Sequence, residues 1–140
     1  MLKKLKNNEY KKIVFATGAR KTAIARVRLK EWGNGKIYIN GKRLIEYFKN
    51  EEHQKLVLKP LEITNTIGLY DIVVKVEGGG ISGQAGATSH GIARALSVLN
   101  SENYRPILRK AGLLTRDPRE KERMKYARSK RRRSWQYTKR

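Results

Sequence analysis

Six glycines lie between Gly78 and Gly91, and this stretch constrains the fold more than any other part of the chain. It is entered by a strand signal over Leu69–Val76, where Ile72, Val74 and Val76 alternate with Val73 and Lys75. Gly78, Gly79 and Gly80 then open backbone angles closed to other residues. A helix is expected from about Gly83–Gly86, with Ala85, Thr88, Ile92, Ala95, Leu96 and Leu99 on one stripe and His90, Arg94 and Ser97 opposite. Small residues let such a helix pack close to a sheet, so this unit reads as the domain core. The loop has two readings: a tight strand-to-helix corner, and an anion cradle of free amides at a helix N-terminus. The corner is the simpler.

Hydrophobic residues make up 39% of the chain, below the roughly 45–50% of ordinary globular proteins, so the core is real but modest. The length of 140 residues fits one domain plus an appendage. The formal net charge of +21 implies a polyanionic partner. A membrane surface is one such polyanion, but no apolar run approaches the roughly 20 residues that span a bilayer. The chain has no cysteine and only two histidines, His53 and His90, which excludes disulfides and thiolate metal sites and disfavours a histidine cluster. No cofactor or metal is expected. The opening Met1-Leu-Lys-Lys-Leu-Lys lacks the apolar segment of a secretion signal, which predicts that the chain works in the compartment where it is made.

Taken in order, Ile13–Thr17 and Thr22–Leu29 read as two strands, with Gly18–Lys21 as the break. In the second strand Ala23, Ala25, Val27 and Leu29 share one face, while Ile24, Arg26 and Arg28 share the other. Arg20, Lys21, Arg26 and Arg28 occur within nine positions without one acid, more than solubility needs, and are read as phosphate contacts. Trp32–Gly35 and Asn40-Gly41 mark turns around a short strand, Lys36–Ile39. Leu44, Tyr47 and Phe48 suggest a short helix, and Glu51–Lys59 a second that Pro60 ends. His53 is read as a surface residue. Pro106 fits the first turn of a last short helix and Gly112 its stop. Asp117 is placed to cap a further helix beginning at Pro118, with Glu120 completing a capping box.

Residues 104–140 hold 15 Lys and Arg against three acids. Such a segment buries too little apolar surface to fold by itself. Tyr126, Trp135 and Tyr137 are interleaved with the cations, where rings stack on bases or sugars. The domain reading is a flexible N-terminus (1–9), a globular α/β domain (10–112) and an extended basic RNA-binding tail (113–140). Candidate RNA contacts are Arg20, Lys21, Arg26 and Arg28 in the hairpin, and His90 and Arg94 on the helix. Arg116, Arg119, Arg123, Lys125, Arg128, Lys130, Arg131, Arg132 and Arg133 join them in the tail.

Several segments match a known family. They are Ala16-Thr-Gly-Ala-Arg-Lys-Thr-Ala-Ile-Ala-Arg-Val27, Ile39-Asn-Gly-Lys42, the block from Gly78 to Leu96, Leu114-Thr-Arg-Asp-Pro-Arg119 and the terminal Gln136-Tyr-Thr-Lys-Arg140. In that order they closely resemble bacterial-type ribosomal protein S9, the universal uS9 family, over essentially residues 10–140. The resemblance implies an α+β fold like the second domain of ribosomal protein S5: a four-stranded sheet with helices on one face and a left-handed βαβ crossover, plus an extended tail. It implies a non-enzymatic constituent of the head of the small subunit, with 16S-type rRNA, P-site tRNA and other head proteins as partners. No membrane or small-molecule substrate is implied. By position, Lys139 and Arg140 would contact the tRNA. Ala16 and Ala19 stand where the family usually has Gly and a basic residue, and Ala127 replaces a common tail glycine. Tyr137-Thr138 replaces a common Phe-Ser.

Two other classes stay comparable on the residues alone. A phosphate-binding enzyme built on the glycine loop would need a lysine in that loop and acids for Mg²⁺, and residues 78–88 contain neither. ATP turnover would single it out. A free-standing nucleic-acid chaperone would fail to co-sediment with small subunits. Frequent Lys, Ile and Asn suggest an AT-rich genome and place the ribosome in a bacterial cytoplasm or an organelle, the plastid stroma before the mitochondrion.

Overall fold

The computed structural model describes residues 12–137 and Lys139 of the chain; the expected N-terminus 1–9 and Arg140 lie outside these residues. Five strands, β1 (Ile13–Arg20), β2 (Ala23–Lys30), β3 (Ile37–Ile39), β4 (Lys42–Arg43) and β5 (Asp71–Glu77), combine with four helices. The helices are α1 (Leu44–Tyr47), α2 (Glu51–Ile63), α3 (Ile81–Leu99) and α4 (Ser101–Lys110). The class is α+β, as expected. The strands form one mixed sheet in the order β1-β2-β5-β3-β4, with β3 parallel to β5 and the other pairs antiparallel.

The fifth strand, one more than the resemblance implied, follows from Asn40-Gly41. Both residues have positive φ (49° and 81°), the requirement of a two-residue hairpin turn, so the chain folds back and pairs Ile39 with Lys42. Asn40 also clasps the neighbouring strand. Its Oδ1 accepts from the Val76 amide (2.9 Å), and its Nδ2 donates to the Val76 carbonyl (3.0 Å).

The inner sheet face carries Val14, Ala23, Ala25, Val27, Leu29, Ile72, Val74 and Val76, all buried against α3. Each fully buried Leu, Ile or Val contributes about 1.5–3 kcal/mol. The helix begins at Ile81, ahead of the expected 83–86, because Gly80 supplies an extended N-cap. Its expected stripe is buried at Ala85, Thr88, Ile92, Ala95 and Leu96, with Leu99 partly so. Ala87, Ser89, Gly91 and Ala93 are buried as well. The helix lies between the sheet on one side and α2 and α4 on the other, so most of its circumference is interior.

The expected break at Gly18–Lys21 is corrected. Gly18 and Ala19 continue β1, and the turn is confined to Lys21-Thr22, where Lys21 takes φ 51°. Gly18 serves packing rather than turning: a Cβ there would lie 2.0 Å from the Ala87 carbonyl oxygen and 2.3 Å from the Gly91 nitrogen. Pro60 does not end α2, which runs three residues further. Pro60 loses its own N–H bond and crowds the carbonyl one turn back, a cost that burial of its ring in the core helps to offset. Pro106 lies inside α4, which starts earlier because the Asn100 side chain caps Asn103 (3.1 Å). Gly112 (φ 72°) closes that helix as expected, with the Leu113 amide donating to the Leu108 carbonyl (3.1 Å).

No helix follows Asp117. Its carboxylate does accept from the Arg119 amide (3.1 Å), but it is also gripped by the Arg119 guanidinium and faces Arg20. No apolar stripe follows to bury a helical face. From Leu113 to Tyr137 the described chain contains no helix or strand.

Candidate nucleic-acid interface

The glycine corner is closed by packing. Gly78 and Gly79 take positive φ (72° and 63°), and a Cβ at Gly78 would sit 2.5 Å from the Thr22 carbonyl oxygen. Among the described residues no side chain caps the first turn of α3, and Gly78 to Ser82 are exposed. Gln84 donates to the Gly78 carbonyl (3.1 Å) and accepts from the Tyr47 hydroxyl (2.7 Å), while His53 meets the Ser82 hydroxyl (2.9 Å). The loop is the strand-to-helix corner of the simpler reading. Among the described residues no three His, Cys, Asp or Glu side chains gather to hold a metal, and no helix is long and apolar enough to cross a membrane.

The hairpin cations fall into two groups. Arg26 and Arg28 project from the outer, helix-free face of β2, opposite Thr17 and Phe15 on β1 and Lys75 and Val73 on β5. Glu77 lies 4.0 Å from Arg26 and 3.3 Å from Lys75, partly offsetting that end. Exposed pairs of this kind are weak and screened by salt, so the face remains basic. Arg20 and Lys21 instead hold the root of the tail. Arg20 faces Asp117 (3.5 Å), and Arg116 donates to the Lys21 carbonyl (3.1 Å).

His90 is the residue whose setting differs most from expectation. Its helix face meets the chain rather than solvent. The Ala19 amide donates to Nδ1 (3.2 Å), and Nε2 lies 3.2 Å from the Leu114 carbonyl. Those partners require the neutral ring protonated on Nε2. Burial first, and then the charges of Arg94 and Arg116, hold its pKa below the ordinary value despite the Leu114 bond. Both nitrogens are occupied within the chain, so His90 ties β1 to the tail root. The signal was present in the sequence: the small residues Ala87 and Gly91 let this helix press against Gly18 of β1. Arg94, exposed on the same helix, donates to the Thr17 carbonyl at the β1 edge.

Within the tail every acid is engaged by cations. Asp117 receives the Arg119 fork (3.0 and 2.9 Å), which holds its pKa far below the usual carboxylate range. Glu120 pairs with Arg116 (2.9 Å). Glu122 takes Arg132 (2.8 Å) and Lys125, which pull its pKa down to about 2. Arg128 and Arg131 donate to backbone carbonyls of Arg132 (2.6 Å) and Glu122 (2.5 Å), and Arg123 to that of Met124 (3.4 Å). Lys130, Arg133 and Lys139 are exposed, as are the rings of Tyr126 (98%), Trp135 (72%) and Tyr137 (91%). Rings left in water on a cationic strand are positioned to stack. Ala127 adopts φ 57°, a left-handed conformation native to glycine.

Residues 18–140 match the family model described as ribosomal protein S9/S16. The chain belongs to the bacterial-type ribosomal protein S9 family. It is 54% identical over 129 residues to the small ribosomal subunit protein uS9 of Thermotoga neapolitana, covering 90% of this chain and 95% of that one. The Thermotoga maritima protein of the same description is 53% identical over the same shares. Membership makes this S9-family chain a structural, non-enzymatic protein of the small ribosomal subunit. Residues 78–88 of the glycine corner hold no Lys, Asp or Glu, in keeping with that role.

Proposed function

We propose that this chain binds 16S-type rRNA in the head of the small subunit through two surfaces, the β2 face with Arg26 and Arg28 and the basic segment 113–140. The observation that carries the reading is the joint between them. Arg20, Lys21 and His90 fasten Asp117, Arg116 and Leu114 to the hairpin, so the tail leaves the globular part at a fixed place and its cations extend from there. The neutralised acids leave the tail strongly cationic, suiting phosphate contacts that position without reading sequence. Other head proteins share this setting. The terminal Lys139 and Arg140, matched to the family by position, reach the backbone of P-site tRNA, where a guanidinium pairs with phosphate in bidentate fashion. The bacterial relatives support a bacterial-type ribosome.

The test is reconstitution of small subunits with protein carrying Gln at Arg131, Arg132 and Arg133. Weakened incorporation that is rescued at low salt supports the tail as an rRNA anchor. Unchanged incorporation at every salt concentration refutes it.

A further inference from the structure

A cleft of about 310 Å³ runs along the outer edge of β1, lined by Phe15, Arg94, Ser97, Val98, Arg105 and Leu114 among others. It lies at the lower end of the roughly 300–1,000 Å³ of small-ligand sites. β1 is an edge strand, so the cleft opens beside the sheet rather than beneath it. Phe15 is 71% exposed, its ring outside the core. Its cross-strand partner is Arg28, so a cation lies directly opposite on the sheet. Arg94 is fixed at the rim by its bond to the Thr17 carbonyl, two residues along β1. Arg105, from the exposed side of α4, stands on the same rim and makes no ion pair among the described residues. No Asp or Glu lines the cleft.

The geometry points to a binding site for one unpaired nucleotide of an RNA strand, its base against Phe15 and its phosphate between Arg94 and Arg105. This deepens the rRNA reading above and rests on it. An aromatic face with two guanidiniums and no acid complements a base bearing an anionic group. An A-form duplex does not satisfy it, because paired bases keep their faces stacked on one another. Stacking on a protein ring is available to any base, so the site selects single-stranded character rather than sequence. Neither Phe15 nor Arg105 is among the candidate RNA contacts read from the sequence. The fold alone brings them together across ninety positions of chain.

The experiment compares full-length protein binding to an end-labelled oligoadenylate and to a fully paired RNA duplex of equal phosphate number. Phe15→Ala should weaken the oligoadenylate about tenfold and leave the duplex unchanged, while Phe15→Tyr, which keeps the ring, should retain wild-type affinity for both. Arg105→Ala should reduce the salt slope for the single strand by about 0.7. Phe15 is exposed, so the variants should keep wild-type melting curves. An unchanged single-strand affinity for Phe15→Ala, or equal loss for both RNAs, would overturn the site while leaving the wider RNA reading intact. Wild-type protein that bound neither RNA would overturn both.

Discussion

The Ala19 amide points at Nδ1 of His90, 3.2 Å away, and that bond exists only while the ring nitrogen is unprotonated. The same ring reaches the Leu114 carbonyl from its other nitrogen. One histidine thus couples strand, central helix and tail root. Its folded-state pKa is lowered, so the unfolded chain binds the proton more readily. The stability it contributes is fully present above the unfolded value of about 6.5 and is lost as pH falls below it. The depressed carboxylates Asp117 and Glu122 keep their contribution until pH falls below about 4. Urea unfolding at about pH 8 and pH 5 should therefore show wild-type protein weakening on acidification and His90→Ala weakening less. His53, present in both, is the internal control. Parallel losses would mean that His90 is not the titrating group.

At constant neutral pH, His90→Ala should itself cost about 1–3 kcal/mol, because it strips partners from the Ala19 amide and the Leu114 carbonyl. Leu96→Ala, at a fully buried site, should cost about 2–5 kcal/mol. Neither the Leu96 face nor the His90 face is therefore free of consequence on substitution. A His90→Ala midpoint equal to wild type would contradict the coupling.

Gly18→Ala tests the backbone contact between β1 and α3. Its new methyl group would meet Ala87 and Gly91 backbone atoms at 2.0–2.3 Å, where no flexible side chain can yield. Overpacking of this kind costs about 1–3 kcal/mol or more. Ala127→Gly should act in the opposite direction on the tail, relieving a left-handed alanine. Hydrogen exchange around residues 125–133 reads the second effect, and faster exchange in the glycine variant would contradict it.

How legible these features were depends on whether the signal is local. The β2 alternation, the Asn40-Gly41 turn and the Gly112 stop are dictated by period and backbone angle, and they read directly from the residues. Gly18 and Pro60 misled because their local meaning, break or boundary, was overridden by packing partners distant in sequence, and Pro106 because the Asn100 cap starts α4 ahead of it. Asp117 was read as a cap because its spacing to Glu120 fits one, yet its carboxylate is drawn to Arg20 across the fold and to Arg119 beside it. The hairpin and tail cations were visible as runs. The pairing of Arg105 with Phe15 was not, since only the edge position of β1 unites them.

Removing Lys139 and Arg140 should leave assembly of small subunits normal, because two terminal cations are a small part of a large rRNA interface. P-site tRNA should bind such subunits more weakly, and equally so for different tRNAs. Arg140→Lys should give a partial loss, since charge remains without the fork. Filter binding on assembled subunits decides it; wild-type tRNA affinity would remove these residues from the tRNA contact.

The most direct test of the electrostatic account is the salt dependence of RNA binding by the isolated full-length protein. With roughly 6–10 phosphates neutralised, affinity should fall about 10³–10⁵-fold between about 50 and 200 mM salt, by analogy with DNA binders. Replacing Arg131, Arg132 and Arg133 together with Gln should flatten the logarithmic slope by about 2–3. A slope identical to wild type would contradict the account, because the densest cationic run of the tail would then make no phosphate contact.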